Sequence, residues 1–332
     1  MEAKQPWEFP ITILAKVAFV SVIGCSALGP LTATAQANSS GCPESLVRGL
    51  PTAPSRPLDG SEFARRVQHI SGTERDAVTK QLILAGDIPD FLRHLRPISL
   101  QGQVSGGKLI SITVCVTPDY LAVGSDKDFV RVPMGLRAAV AIADRFGFML
   151  PTTRIVDAIY RQADIRLAPK PLQAGPEMRS TAYFVHHDEL VHEEILAEGA
   201  ELGSLIAGQK KDLVITNRLR TNPGRVAIYG WHQEDGKPIQ SLSTFHGENY
   251  ADYSHGVRLV SSVAYVNEET RSLVDVLQDP QLATLVSSEG PIADFGALIA
   301  GLDGDNAGAS AVKPAVNLPG SAPVVRKAGN RQ

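Results

Sequence analysis

Histidine is concentrated in one part of this chain. Of its eight histidines, only His69 and His94 lie outside the segment from His186 to His255. Histidine titrates closest to neutral pH and is the commonest metal ligand in proteins, so this concentration predicts a functional site. The segment holds two groups of polar residues, which suggest different chemistry.

The first group follows a predicted strand at residues 182–186 and lies at the start of a predicted helix at residues 187–199. On a helix, Asp188 and His192 are one turn apart, which places a carboxylate and an imidazole on the same face. Together with His187 they are candidate ligands for a divalent metal ion. The alternative is an acidic, solvent-facing helix start, because carboxylates suit the positive end of the helix dipole.

The second group is rich in aromatic and polar side chains. It predicts catalytic roles for His232, His246, Asp252 and His255, and substrate-binding roles for Tyr229, Trp231, Tyr253 and Arg258. An imidazole beside a carboxylate can act as a general base, a guanidinium can hold an anionic group, and aromatic rings can form a platform. The alternative is a buried polar network that holds strands and loops together.

Part of the second group resembles a known enzyme signature. His246-Gly247 followed by Ser254-His255-Gly256-Val257-Arg258 is similar to the His-Gly and Ser-His-Gly-Cys-x-Arg motifs of the L,D-transpeptidases, exported enzymes that cross-link peptidoglycan. Val257 stands where that family has its cysteine nucleophile, and this chain is one residue shorter before Arg258. An acyl-enzyme needs that thiolate, so the resemblance implies cell-wall material and not the transpeptidase mechanism.

A second resemblance covers more of the chain. The segments Ala-Ile-Tyr-Gly-Trp-His and Asp-Tyr-Ser-His-Gly are similar to those of a family of secreted bacterial proteins whose function is not known. This resemblance implies export and no particular activity.

Three classes of function are compatible with these residues. The leading hypothesis is an exported hydrolase that acts on an extracellular polymer, either peptidoglycan or a polysaccharide. The second is a non-catalytic, envelope-associated protein that binds such a polymer or a small ligand, and the third is chemistry that depends on a divalent metal. A net charge of −3 and a pI near 6.3 provide no basic field for a phosphate backbone, so nucleic acid is not an expected partner.

The start of the chain is typical of a signal peptide. An apolar run from Val17 to Leu28 precedes small residues, and cleavage is expected before Asn38, so that residues 1–37 are removed. The mature chain has no other segment long enough for a transmembrane helix and would be secreted or periplasmic. The alternative is a lipid anchor at Cys25, which ends an apolar-apolar-small-Cys sequence.

Removal of residues 1–37 leaves Cys42 and Cys115. An even number of cysteines in an oxidising compartment is compatible with a disulfide between them. The alternative is two buried thiols that do not meet.

The remaining sequence predicts one compact domain. Residues 38–60 are rich in proline and read as a linker, residues 61–302 as a globular domain, and residues 303–332 as a disordered tail. Short connections between predicted elements favour an α+β fold, with a mainly antiparallel sheet and flanking helices.

Local signals place the elements of this domain. Helices are predicted at residues 73–85, 135–146, 187–199 and 270–278, and after Pro151 with Thr152 or Thr153 as its cap. Strands are predicted at residues 109–116, 120–124 and 129–132, which form a β-meander, and at 182–186, 213–216, 225–231 and 256–262. Lys210 and Lys211, before one of these strands, are interpreted as part of a solvated rim.

Overall fold

Two larger sheets and two two-stranded sheets, with helices packed around them, form the described part of the protein. The computed structural model describes residues 41–302. Its strands are β1 (Arg96–Gln103), β2 (Leu109–Val116), β3 (Ala122–Ser125), β4 (Asp128–Arg131), β5 (Phe148–Met149), β6 (Ile165–Arg166), β7 (Ile206–Ala207), β8 (Lys211–Leu213), β9 (Ile228–His232), β10 (Pro238–Ser243), β11 (His255–Gly256), β12 (Val260–Val266) and β13 (Glu269–Ser272). Its helices are α1 (Gly60–Val67), α2 (Gly72–Ala85), α3 (Leu136–Phe146), α4 (Thr153–Gln162), α5 (Thr181–Ala197), α6 (Arg218–Thr221), α7 (Leu273–Gln278), α8 (Ala283–Val286) and α9 (Phe295–Leu302). The predicted α+β class is confirmed.

The larger sheet has the strand order β1-β2-β12-β13, and β5 pairs with β12. All of these pairings are antiparallel. In β2, Ile110, Ile112 and Val114 are buried and alternate with more exposed residues, as the sequence pattern predicted. Their branched side chains pack into the main hydrophobic core, which fixes the register of the sheet.

The smaller sheet, of order β10-β9-β8-β11, carries the segments that matter for function. Lys211 lies opposite Gly230 in an antiparallel pair and opposite His255 in a parallel pair. Gly230 and Trp231 both have positive φ angles, of 109° and 57°. These two residues break the alternation of side chains along β9, so the rings of Tyr229 and His232 lie on the same side of the strand. Their centroids are 5.9 Å apart.

The predicted helix ends are confirmed at the residues that carried the signals. Helix α2 ends at Gly86 and α3 ends at Gly147, and both glycines adopt left-handed φ angles, of 97° and 76°. Helix α4 is capped by Thr152, whose side chain accepts a hydrogen bond from the backbone of Ile155.

The predicted β-meander is wrong. Strand β2 pairs with β1 on one side and with β12 on the other, while β3 and β4 form a separate hairpin. Strand β1 is joined to β2 by a short turn but was not predicted as a strand, and β12 is far from β2 in sequence, so neither partner of β2 was placed beside it.

The predicted strand at residues 182–186 is also wrong, because these residues belong to helix α5. The Ser180 side chain accepts a hydrogen bond from the backbone of Tyr183 and starts the helix. The buried face includes Thr181, Phe184 and Asp188, at helical spacing. Because two of these three buried residues are polar, the positions of the apolar residues alone do not show the helical period.

Later elements exist close to their predicted positions, with shifted ends. The strands predicted at 213–216, 225–231 and 256–262 correspond to β8, β9 and β12, and the helix predicted at 270–278 to α7, whose first predicted residues form β13 instead. Ends shift because a strand extends as far as its neighbour supplies hydrogen bonds, which the sequence does not specify.

The described part of the proline-rich segment, residues 41–60, is attached to the domain. Cys42 and Cys115 form a disulfide, as one of the two sequence interpretations predicted. Leu50 and Leu58 are buried, and the segment contains only a short 3-10 turn at Glu44–Gly49 before α1 begins. The predicted signal peptide, Cys25, residues 38–40 of the linker and the predicted tail at 303–332 lie outside the described residues.

No helix in residues 41–302 combines the length and the apolar character that crossing a bilayer requires.

Candidate functional site

Three of the four predicted catalytic residues come together, and the fourth lies in a different group. His246, Asp252 and His255 surround Tyr250. His232 packs against other residues, and within residues 41–302 no hydrogen bond, ion pair or ring contact joins it to those three. The structure therefore divides the predicted site into two.

Backbone hydrogen bonds hold the first group in place. The backbone N–H of Lys211 donates to the carbonyl of Ser254 at 2.7 Å, which fixes the start of β11 next to β8. The N–H of Val226 donates to the carbonyl of His246 at 3.1 Å, beside the isolated bridge that pairs Arg225 with Gly247. The loop that carries His246 is therefore hydrogen-bonded to β8 at one end and to the segment before β9 at the other.

Asp252 is the polar centre of this group. Its Oδ1 accepts hydrogen bonds from the side chain and backbone N–H of Ser254, at 2.5 and 2.8 Å, and its Oδ2 accepts one from the Tyr250 hydroxyl at 3.1 Å. Burial raises the pKa of Asp252, but the imidazole of His255, the Ser254 hydrogen bonds and the Lys211 ammonium lower it more. The net pKa is below the ordinary value, so the carboxylate is ionised at neutral pH.

His255 is buried without a hydrogen-bond partner for either ring nitrogen among the described residues. Its Nε2 lies 3.9 Å from Oδ2 of Asp252, which is beyond hydrogen-bonding distance. Burial is the main cause that lowers the pKa of His255 to about 4, and nearby cations add to the effect although Asp252 opposes it. His255 is therefore neutral at pH 7.

His246 is the histidine of this group that reaches solvent. Its ring stacks on Tyr250 with centroids 3.8 Å apart and planes 7° from parallel. Partial burial is the main cause that lowers the pKa of His246, and the cations Lys211, Arg179 and Arg225 add to it against Asp252. A neutral imidazole that is held by a stack and is open to water can accept a proton.

Aromatic and cationic side chains surround His246. Phe245 is 77% exposed and contacts the His246 ring at 5.2 Å. The guanidinium of Arg179 lies 5.2 Å from the Tyr250 ring, and the ammonium of Lys211 lies 4.9 Å from the Trp231 ring. We call this group, which consists of Arg179, Lys211, Phe245, His246, Tyr250, Asp252, Ser254 and His255, the His246 ledge.

A second set of charges lies beneath the surface. Arg131 is 1% exposed and donates two hydrogen bonds to Asp119, at 2.6 and 2.9 Å, and one to Asp188 at 2.9 Å. Burial alone would lower the pKa of Arg131, but the two carboxylates raise it above its ordinary value. This is a buried ion triad whose charged groups are paired within the fold.

Lys210 extends this buried set. Its ammonium lies 3.0 Å from Nδ1 of His187 and donates to the carbonyl of Tyr253 at 2.7 Å. Burial lowers the pKa of Lys210 to about 8, and burial together with Lys210 lowers the pKa of His187 to about 2. We call Asp119, Arg131, His187, Asp188 and Lys210 the buried network. The interpretation of Lys210 as part of a solvated rim is wrong, because the residue is 1% exposed.

The predicted metal ligands do not converge. Asp188 is paired with Arg131, His187 lies against Lys210, and His192 is exposed on α5 with its ring 5.6 Å from Phe129. Within residues 41–302, no three His, Cys, Asp or Glu side chains are grouped so that they could hold a metal ion.

Arg258 is a structural residue in this fold, although the sequence suggested a substrate clamp. It is fully buried and donates to the carbonyls of Thr117 and Ile206, at 2.8 and 2.6 Å. Its guanidinium lies 4.3 Å from the Tyr120 ring. It joins three segments of the chain and does not face solvent.

The predicted aromatic platform is divided as well. Trp231 and Tyr253 are buried with Phe184 in a small cluster of their own. Tyr229 instead donates from its hydroxyl to Oδ1 of Asp157 at 2.9 Å. The exposed aromatic ring beside the histidines is Phe245, which the sequence analysis did not select.

His232 and Tyr229 line a cavity of about 380 Å³. Nε2 of His232 lies 2.9 Å from Oδ1 of Asp157, and the His232 ring stacks on Tyr160 with centroids 4.5 Å apart. We call this site the Asp157 cavity. Asp157 was not predicted, although a signal existed: it is an acidic residue between the buried apolar residues Val156 and Ala158 of α4.

Comparisons of the chain with protein-family models, with curated proteins and with solved structures found no match.

Proposed function

We propose that the protein is an exported hydrolase that acts on an extracellular polymer, peptidoglycan or a polysaccharide, at the His246 ledge. The observation that carries this proposal is the position of His246. A neutral, solvent-reaching imidazole is held on Tyr250, and Tyr250 donates a hydrogen bond to the ionised Asp252. A base, a ring that fixes it and a carboxylate are thus joined by direct contacts.

Export is supported by the disulfide between Cys42 and Cys115. Such bonds form and persist in oxidising environments, which include the periplasm and the exterior of the cell. The sequence of residues 1–37 supports the same location. Secretion, periplasmic retention and a lipid anchor at Cys25 are alternative outcomes of this export.

The proposed chemistry is hydrolysis of an amide or ester bond. His246 removes a proton from water as the water oxygen attacks the carbonyl carbon. The negative charge of Asp252 stabilises the imidazolium that results. The imidazolium then returns the proton to the leaving nitrogen or oxygen, so that the base is neutral again at the end of the cycle.

His255 acts as a positioning residue in this scheme. It is buried behind Tyr250, with ring centroids 5.7 Å apart, and its side chain is inaccessible to substrate. Arg179 supplies a permanent positive charge next to Tyr250, where charge develops on the carbonyl oxygen.

A polymer is favoured because the ledge has a protruding aromatic ring. Phe245 is 77% exposed beside His246 and can pack against a sugar ring or a peptide that continues past the reacting bond. The same observation favours the alternative function, a non-catalytic protein that binds a polymer through Phe245, Tyr250 and Arg179.

One experiment separates these functions. The mature protein is incubated with purified peptidoglycan and with a panel of polysaccharides, some of them acetylated, and the soluble products are identified by mass spectrometry. We expect peptide fragments from peptidoglycan or acetate from an acetylated polysaccharide, and their loss in His246→Ala. His192→Ala, which removes an exposed histidine elsewhere, is the matched control and should retain activity.

The outcomes differ clearly. Release that needs His246 but not His192 supports the hydrolase. If wild type and His246→Ala both co-sediment with a polymer and neither releases a product, the binding protein is supported and the hydrolase is rejected. Release that is equal in wild type and His246→Ala rejects the proposed base.

A further inference from the structure

We propose that the Asp157 cavity is a second binding site, separate from the His246 ledge, and that it binds one neutral sugar residue through hydroxyl groups. The cavity volume of about 380 Å³ is at the small end of the range for ligand sites, which suits a single ring. Its walls come from α4, β6, β9, the turn that follows β9 and the first residue of β10. This inference does not depend on the proposed hydrolase.

Asp157 provides the acceptor in the cavity. Its Oδ1 receives hydrogen bonds from both the Tyr229 hydroxyl and Nε2 of His232, each at 2.9 Å. Its Oδ2 has no donor among the described residues, and one third of the side chain, 33%, is exposed, whereas His232 beside it is 3% exposed. Two neighbours thus hold the carboxylate in one orientation and leave one oxygen facing the cavity.

Aromatic rings make the wall rigid. His232 and Tyr160 are stacked only 15° from parallel, and Tyr229 meets His232 edge-on. The Tyr160 hydroxyl donates to the carbonyl of Gln233 at 2.7 Å. Because both tyrosine hydroxyls and the imidazole are already bonded, the site is formed before a ligand arrives, which reduces the entropy lost on binding.

The charges that line the cavity do not favour an ion. Arg161 and Arg166 would repel an ammonium group, while the lining carboxylates would repel a carboxylate or phosphate; these are Asp157, Glu234 and Asp235, the last paired with Lys237. A neutral ligand avoids both costs.

Hydroxyl groups match the donors and acceptors that remain. A hydroxyl donates one hydrogen bond and accepts others. It can therefore donate to Oδ2 of Asp157 while a neighbouring hydroxyl accepts from a guanidinium such as that of Arg161. A sugar ring is a neutral ligand that presents several adjacent hydroxyls of this kind.

Saturation-transfer NMR on the full protein tests the proposal. The probes are glucose, galactose and N-acetylglucosamine, with glucuronate and glucosamine as charged relatives of the same ring size, and the β-1,4-linked tetramers of glucose and of N-acetylglucosamine. We expect at least one neutral sugar to bind in the millimolar range and its charged relatives to bind several-fold more weakly. A tighter tetramer assigns the site to a polymer, and equal affinities assign it to a free sugar.

Variants locate the signal. Asp157→Asn should weaken binding at least about tenfold, and Tyr229→Phe, which keeps the ring and frees Oδ1, should weaken it less. His192→Ala, an exposed residue on α5 that does not line the cavity, should bind as the wild type does. If no sugar or tetramer shows transfer, if glucuronate or glucosamine binds best, or if both cavity variants fold and bind unchanged, the proposal is overturned.

Discussion

The buried network and the His246 ledge contain the same kinds of residue and meet at two consecutive lysines. In the network, Lys210 donates to a backbone carbonyl and faces His187, and Arg131 joins two carboxylates. On the ledge, Lys211 lies over a ring, and His246 keeps a side open to water. Residue type alone therefore does not identify a functional site. What matters is whether a charged group is already paired inside the fold.

The two regions should therefore respond to substitution in opposite ways. Loss of a network residue leaves a partner buried and unpaired, which costs folding free energy. Loss of a ledge residue that reaches solvent, such as His246 or Phe245, costs activity and little stability.

The largest effect is expected for Arg131→Met. Asp119 and Asp188 would remain buried without their counter-charge, so the free energy of unfolding should fall by about 3–5 kcal/mol, measured by urea denaturation. Arg66→Met breaks an exposed pair with Glu62 and serves as the control, with an expected change of about 0.5 kcal/mol or less. If Arg131→Met cost no more than this control, the network would not be the structural region that we describe.

The next effect is expected for Arg258→Lys, which keeps the charge but loses the planar fork. The carbonyls of Thr117 and Ile206 would lose donors in a buried place, so stability should fall by about 2–3 kcal/mol. Activity of the folded fraction should be unchanged. Reduced activity with normal stability would instead restore the substrate-clamp role that the sequence suggested.

We expect His255 to make the stability of the protein depend on pH. Its pKa is lowered from 6.5 to about 4 on folding, so between these values the unfolded chain binds more protons than the folded chain. The stability that His255 contributes is fully present above pH 6.5 and is lost as the pH falls through this window. The free energy of unfolding changes with a slope of up to about 1.4 kcal/mol per pH unit.

His255→Gln should therefore have a shallower slope than the wild type in urea denaturation series across the same window. Burial raises the pKa of Asp76 and of Asp212 to about 6, which acts in the opposite direction. Both are present in the two proteins and cancel in the difference. Identical slopes would show that His255 is not buried in its neutral form.

The smallest effect is expected for Phe245→Ala. The ring is exposed, so the free energy of unfolding should change by no more than about 0.5 kcal/mol. Loss of an aromatic contact should raise KM by about three- to tenfold on the polymer that the protein cleaves, with kcat unchanged. An unchanged KM would show that Phe245 does not contact the polymer.

Much of the fold could be predicted from local signals. The ends of α2 and α3 were predicted because a glycine follows each helix, and α4 because Thr152 is a good cap. These signals work because capping chemistry involves residues only a few positions apart. Strand pairing could not be predicted in the same way, since β12 lies beside β2 through long-range contacts.

The candidate site was predicted less completely. The sequence selected His246, Asp252 and His255, which are close in sequence and meet in the fold. It did not select Asp157, Arg131 or Lys210, whose partners lie in other segments. It also selected Arg258 and Trp231 for substrate binding, although both side chains are buried. Whether an Arg or Trp side chain is buried depends on packing between distant segments, which the spacing of residues in the sequence does not show.

The most direct test of the central claim measures turnover and stability together in His246→Gln, with the polymer from which products are released. We predict that kcat/KM falls about 10²–10⁴-fold while the free energy of unfolding changes by less than about 1 kcal/mol, because His246 acts as a base and does not hold the fold together. Turnover within about twofold of the wild type, or a loss of activity matched by a loss of folded protein, would contradict the claim that the His246 ledge is the catalytic region.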